Sequence, residues 1–159
     1  MAFDSESILD DTGWRLLRAV QEDARLSFSE LGRRIGLSAP AVAERVRRME
    51  DAGILTGYRA QIDTTRLGFP ITAFIQVRAP SDRYVRIATL ARTLSEVVEC
   101  HHLTGDDAFL IKVVAASMLH LEAVIAELRQ HGDTDTKVVL SSLVTGKVIY
   151  GGPSLRVAS

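Results

Sequence analysis

The stretch from Ser27 to Ala52, SFSELGRRIGLSAPAVAERVRRMEDA, constrains the fold more than any other part of the chain. Ser27 precedes Glu30 by three residues, the spacing of a capping box in which each side chain satisfies a free amide at a helix start. Phe28, Leu31 and Ile35 then supply an apolar stripe, and Gly36 follows where a left-handed cap needs a residue without a β-carbon. A second start signal comes two residues later. Ser38 is placed as N-cap, Pro40 falls in the first turn where a missing amide hydrogen costs nothing, and Val42, Val46 and Met49 recur at helical spacing. Two short helices around a tight Gly36-Leu37 turn make a helix-turn-helix.

At about 100° per residue the second of these helices turns Pro40, Ala41, Glu44, Arg47 and Arg48 outward and leaves Arg45 at the flank. Between Leu31 and Arg48 stand five arginines, Arg33, Arg34, Arg45, Arg47 and Arg48, against Glu44, a local charge of +4. The planar fork of arginine can clamp a phosphate or a guanine edge through two bonds, which lysine cannot. A charge run alone usually means a solvated face. Here the turn, the caps and the outward arginines coincide, and together they predict binding to double-stranded DNA. Arg47, Arg48 and Glu44 are expected near base edges, with Arg33, Arg34 and Arg45 on phosphates. The small residues Ala39 and Ala41 at the helix start would let the backbone come close, and Ser38 and Pro40 beside them are further candidates for the DNA-binding surface.

Upstream, a helix from Asp11 or Thr12 to Glu22 buries Leu16, Leu17 and Val20. Downstream the period changes. Ile54 to Ile62 reads as an extended segment and residues 61–69, polar and bearing Gly68, as a linker. From Ile71 the pattern is a strand to Val77, a helix over Arg83–Leu94, strands over Val97–Leu103 and Phe109–Ala115, a helix capped by Ser117, and a last strand over Lys137–Val144. That order is a split βαβ arrangement, βαββαβ, with both helices on one sheet face. The expected division is therefore 1–60 as the helix-turn-helix domain and 70–159 as the α+β domain. A sheet of this size with an open face predicts a second copy packed against it.

The whole chain carries 19 Lys and Arg against 20 Asp and Glu, so its net charge of −1 excludes a uniformly basic coat protein but not a local basic patch. Its 159 residues include one cysteine, which permits no intramolecular disulfide and makes a reducing cytoplasm, at the nucleoid, the expected compartment. The longest apolar run, near Phe109–Met118, is interrupted by Lys112 and too short to span a bilayer, so no membrane role is expected. Cys100 and His102 share a strand face, with His101 opposed. Without further ligands they read as no metal site, and Cys100 reads as a small buried hydrophobe. Asp106 and Asp107 could be a carboxylate pair, the corner of a strand connection, or groups that address the charged ends of an amino acid. No nucleophile and base assemble, so an enzyme is not expected; an effector-independent architectural DNA-binding protein is the alternative.

The residues LDDTGWRLLRAVQEDARLSFSELGRRIGLSAPAVAERVRRMEDAGILTGYRAQID resemble the winged-type helix-turn-helix of the Lrp/AsnC transcriptional regulators, with its Asp-Ala-Arg, Gly-Leu-Ser and Arg-Val blocks. HLTGDDAFLIKVVAASMLHLEAVIAELRQHG, followed by a Thr-rich strand, resembles that family's βαββαβ, ferredoxin-like RAM-type sensing domain. Gly13 and Ala108 stand where the family often has an acid. The resemblance implies a dimer through paired sheets, assembled further into tetramers or octamers. It implies no cofactor, but an amino acid or similar effector held between subunits. The residues implied are Leu103, Thr104, Gly105, Asp106 and Asp107 in one loop, and Thr134, Thr136 and Ser141 along the last strand.

Overall fold

A computed structural model describes residues 8–105, 109–149 and 151. They divide into two compact units, one holding residues up to Ala60 together with those from Val144 onward, the other holding 61–143.

The first unit is built on three helices, α1 (Asp11–Glu22), α2 (Phe28–Ile35) and α3 (Ala39–Asp51). Each begins on a side-chain cap: Asp10 accepts from the Gly13 amide, Ser27 from that of Glu30, and Ser38 from that of Ala41. The Ser27–Glu30 capping box is complete in both directions. Gly36 ends α2 at φ 79°, the left-handed conformation expected of it. Leu16, Val20, Leu31, Ile35, Val42, Val46 and Met49 form one buried cluster, so the apolar stripes of all three helices meet. Gly32 and Gly13 are fixed by space. A β-carbon on Gly32 would lie 2.3 Å from the Leu37 carbonyl oxygen, and one on Gly13 would lie 2.1 Å from that of Ile8. Gly13 is therefore required by close packing in this chain, where the family pattern would place an acid.

Ile54 and Leu55 pack on this core and donate their amides to the Met49 carbonyl, so the expected extended segment starts as a helix-end turn. Residues 56–63 form no strand, and the described residues contain no paired wing. An extended backbone needs a neighbour to complete a ladder, and this segment finds none among the described residues.

The second unit is a four-stranded antiparallel sheet with two helices. Its elements are β1 (Ile71–Arg78), α4 (Tyr84–Thr93, preceded by a 3-10 turn at Ser81–Arg83), β2 (Val97–His102), β3 (Phe109–Ala115), α5 (Met118–Arg129) and β4 (Asp133–Val138). The spatial order is β2-β3-β1-β4. The expected βαββαβ architecture is therefore present. Ala73, Ile75 and Val77 of β1 and Phe109, Ile111, Val113 and Ala115 of β3 face Ile87 of α4 and Leu121, Val124 and Leu128 of α5.

Three details differ from expectation. The last strand is Asp133–Val138 rather than Lys137–Val144, because β4 is chosen by register with β1, where Val77 pairs Thr134 and Ile75 pairs Thr136. The apolar residues that suggested a later strand lie bare: Leu140 is 98% and Leu143 93% exposed. Residues 61–69 are a turn within the second unit, where Asp63 receives the Thr65 amide at 3.0 Å and the Thr64 carbonyl accepts from Leu67 and Phe69. The segment from Val144 joins the first unit, where the Gln21 side chain holds Ile149 by two hydrogen bonds, 2.7 Å to its carbonyl and 3.0 Å from its amide.

Candidate functional site

The helix-turn-helix presents its charges as its periodicity predicts. Val42, Val46 and Met49 of α3 are buried, while Ser38, Pro40, Glu44, Arg47 and Arg48 are exposed and Ala39 and Ala41 are half-buried at the helix start. Arg33 and Arg34 are exposed in the last turn of α2. Arg47 donates to Glu44 at 2.8 Å one turn earlier, which tethers its guanidinium on the outward face.

Arg45, expected on phosphate, is paired with a carboxylate of its own unit. Its two terminal nitrogens reach the two carboxylate oxygens of Asp10 at 2.9 and 3.0 Å, a fork-on-fork pair across 35 residues of sequence. The bound guanidinium, with the Gly13 amide adding to it, holds the Asp10 carboxyl below the usual carboxylate range. The two N–H groups that meet Asp10 are not available to a phosphate, and the carboxylate offsets the charge of the guanidinium. Nothing in the spacing of Asp10 and Arg45 signalled this contact.

A second feature escaped sequence reading. A cleft of about 470 Å³ opens beside α3, walled by Val20, Leu26, Phe28, Val46 and Tyr58. The Tyr58 hydroxyl donates to Glu50 at 2.9 Å, and burial together with that carboxylate pushes its pKa up to about 12.

In the second unit the expected effector residues fall into separate groups. Leu103 is half-buried and Thr104 and Gly105 are exposed in the β2–β3 connection, where Gly105 takes φ 92°. Asp106 and Asp107, with Ala108, lie outside the described residues. Thr134 and Thr136 face the helix side of edge strand β4, and Thr134 accepts a hydrogen bond from Arg129 at 3.4 Å. Val77 pairs with both Phe109 and Thr134, so the β2–β3 connection and the start of β4 share one end of the sheet, two strand spacings or about 10 Å apart. Ser141 does not join them. It follows Val139, whose amide bonds Thr72 at the opposite end, roughly 17 Å along β1. Among the described residues of one chain, then, Thr104 and Gly105 do not share a pocket with Ser141.

Beside the β2–β3 connection, Tyr84, His102 and Phe109 form a ring cluster with centroids 4.9 to 5.4 Å apart. Cys100 shares the His102 face but is exposed rather than buried, because β2 is an edge strand. Its thiol is pushed up by partial desolvation, which argues against a ready nucleophile. On the opposite sheet face, Phe74 and Leu110 sit half-buried among charge pairs. Lys112 reaches Glu99 at 2.8 Å, and Lys137 reaches Gln76 at 3.0 Å and also pairs with Asp135. No element of the second unit's helical layer covers this face.

Residues 9–50 match the AsnC-type helix-turn-helix domain and residues 72–149 the Lrp/AsnC ligand binding domain. The chain belongs to the Lrp/AsnC family of transcriptional regulators. It is 41% identical over 134 residues to the HTH-type transcriptional regulator YezC of Bacillus subtilis, covering 84% of this chain and 95% of that protein. A transcriptional regulator of Neisseria meningitidis, solved as an L-Met complex, superposes with a TM-score of 0.82 at 28% identity, over 89% of this chain and 96% of that one. The feast or famine regulatory protein of M. tuberculosis, complexed with L-methionine, gives 0.77 at 30% identity, over 86% and 95%. The chain thus carries an AsnC-type helix-turn-helix followed by an Lrp/AsnC ligand binding domain. No helix among the described residues is long and apolar enough to cross a membrane.

Proposed function

We propose that this Lrp/AsnC protein acts as a dimer that reads a specific DNA sequence and alters its grip when an amino-acid effector binds between subunits. The observation that carries the reading is α3 itself. It is capped by Ser38, buried along Val42, Val46 and Met49, and open along Glu44, Arg47 and Arg48 beside the exposed Arg33 and Arg34. In this reading α3 enters the major groove with Arg47 and Arg48 at base edges, and Arg33 and Arg34 position the unit on phosphates. Two such helices are needed to span successive half-sites, and the open sheet face around Phe74 and Leu110 is where a second copy packs.

The effector reading is supported by the L-Met complexes of two structural neighbours and by the ligand-binding domain match. Thr104, Gly105 and Ser141 lie too far apart to close on one small molecule from a single chain. Completion by a second subunit removes that difficulty. Asp106 and Asp107 would address the charged ends of the amino acid from the same loop.

The test is selection of a preferred site by the full chain from a random duplex pool, repeated with each of the twenty amino acids. A preferred sequence whose occupancy shifts with one class of amino acid is the expected result. Footprints that spread over any sequence and ignore every amino acid would instead mark an architectural DNA-binding protein.

A further inference from the structure

We infer that Asp10 and Arg45 are positioning residues for base reading: their fork fixes the rotation of α3 about its own axis, and Arg45 contributes nothing to phosphate binding. Arg45 lies on the flank of α3, one residue after the outward Glu44 and one before the buried Val46. The seam of Val42, Val46 and Met49 holds the helix against the core, but apolar contact is non-directional and tolerates small rotations. The fork does not. Nη1 meets Oδ1 at 2.9 Å and Nη2 meets Oδ2 at 3.0 Å, two parallel bonds with a fixed plane.

Asp10 is itself immobilised, because its Oδ1 also accepts the Gly13 amide at 2.7 Å as the N-cap of α1. One carboxylate therefore starts α1 and anchors the middle of α3. With side chains a helix has a radius of about 5–6 Å, so a 20° rotation of α3 would displace its surface by about 2 Å. That shift is enough to break hydrogen bonds from Arg47 and Arg48 to base edges. Contacts to phosphates, which need only a cation near a flexible backbone charge, would survive it.

Position and electrostatics thus separate. The Asp10–Arg45 pair is neutral in sum, so it adds no counterion release, while the exposed arginines of α2 and α3 supply the charge. The inference rests on α3 as the base-reading helix.

The test uses the full chain, a preferred duplex selected from a random pool, and an unrelated duplex of equal length. Asp10→Asn keeps a good N-cap but loses the ionic fork. It is expected to lower the ratio of specific to non-specific affinity about tenfold without weakening non-specific binding. If Arg45 were a phosphate contact, releasing it would strengthen both affinities together and leave the ratio unchanged. If the pair were only a staple for stability, thermal unfolding would shift while the ratio stayed. Either result overturns the inference. The double variant Asp10→Asn/Arg45→Gln removes both charges and is expected to show the wild-type dependence of log K on log salt with the same lowered ratio. A slope shallower by about one per subunit would overturn it. Arg45→Lys keeps the cation without the fork, so its ratio should fall as well, and a wild-type ratio would count against the geometry. A full chain that selects no sequence overturns both this inference and the base-reading role of α3, whereas an unchanged ratio on a selected site overturns this one alone.

Discussion

The imidazole Nε2 of His120 lies 2.8 Å from the carboxylate of Glu96, while its Nδ1 faces the backbone amide of Ala116 at 3.2 Å. Because the amide can only donate, Nδ1 accepts and Nε2 carries the proton given to Glu96. The pair ties the segment before β2 to the first turn of α5, 24 residues apart.

This contact makes an acid prediction. The hydrogen bond from His120 holds the Glu96 carboxyl below its usual range. A depressed carboxylate contributes stability that is fully present above its unfolded pKa, near 4.3, and is lost as pH falls through the lower folded value. Glu96→Gln should therefore flatten the acid limb of stability below about pH 4.3. Urea unfolding at a series of pH values would decide it, and an unaltered limb would place the acid sensitivity elsewhere.

Gln21 offers a local test of the C-terminal segment. Loss of its two bonds to Ile149 in Gln21→Ala should release the Ile149 amide to exchange and cost roughly 1 kcal/mol in the first unit, given net values near 0.5–1.5 kcal/mol per bond and their exposure. Amide hydrogen exchange reads the outcome. Unchanged protection at Ile149 would mean the segment is held by something other than Gln21.

Gly32→Ala sets helix propensity against space. An exposed glycine in a helix would gain about 1 kcal/mol from alanine, but here the new β-carbon meets the Leu37 carbonyl oxygen at 2.3 Å. The turn between α2 and α3 must open, and a net loss of about 1–3 kcal/mol is expected from overpacking. A stabilised variant by thermal unfolding would contradict the close approach.

Salt dependence counts the arginines. With Arg33 and Arg34 as the phosphate contacts of each subunit in a dimer, four in all, log K should fall with log salt at a slope of about −3.6. That is roughly a 150-fold loss between 50 and 200 mM. If Arg45 also reached phosphate, six contacts would steepen the slope to about −5.4 and the loss to about 10³-fold. Titrations at four salt concentrations separate the two.

The open sheet face predicts an assembly phenotype. Phe74→Asp places a charge where Phe74 pairs across Lys112 and Lys137, outside the core of its own subunit. It should leave the fold intact and shift the sedimenting species toward monomer. A variant that unfolds instead, or a wild-type assembly that persists, would move the interface away from this face.

What the sequence made legible follows a physical divide. The capping box of Ser27 and Glu30, the Gly36 cap and the Ser38 start are signals within four residues, and each has its expected structure. The strand over 133–138 is hidden in the sequence because Thr134 and Thr136 alternate with the charged Asp133, Asp135 and Lys137, while Val138, Val139 and Leu140 look more like a strand; pairing with β1, some 60 residues earlier, makes the choice. The same limit hid the fork between Asp10 and Arg45. Periodicity gave Arg45 a flank position correctly, but no local rule says which distant carboxylate occupies a flank. A lone cysteine reads as a small buried hydrophobe from its residue type alone, whereas strand order places Cys100 at an exposed edge.

The return of the chain at Val144 to the unit it left at Ala60 has a topological consequence. The sensing unit is an insertion within the helix-turn-helix unit, joined by two crossings instead of one. Both ends of the inserted unit's chain are thereby anchored in one folded unit, and the two bonds from Gln21 of α1 to Ile149 make the second crossing fast.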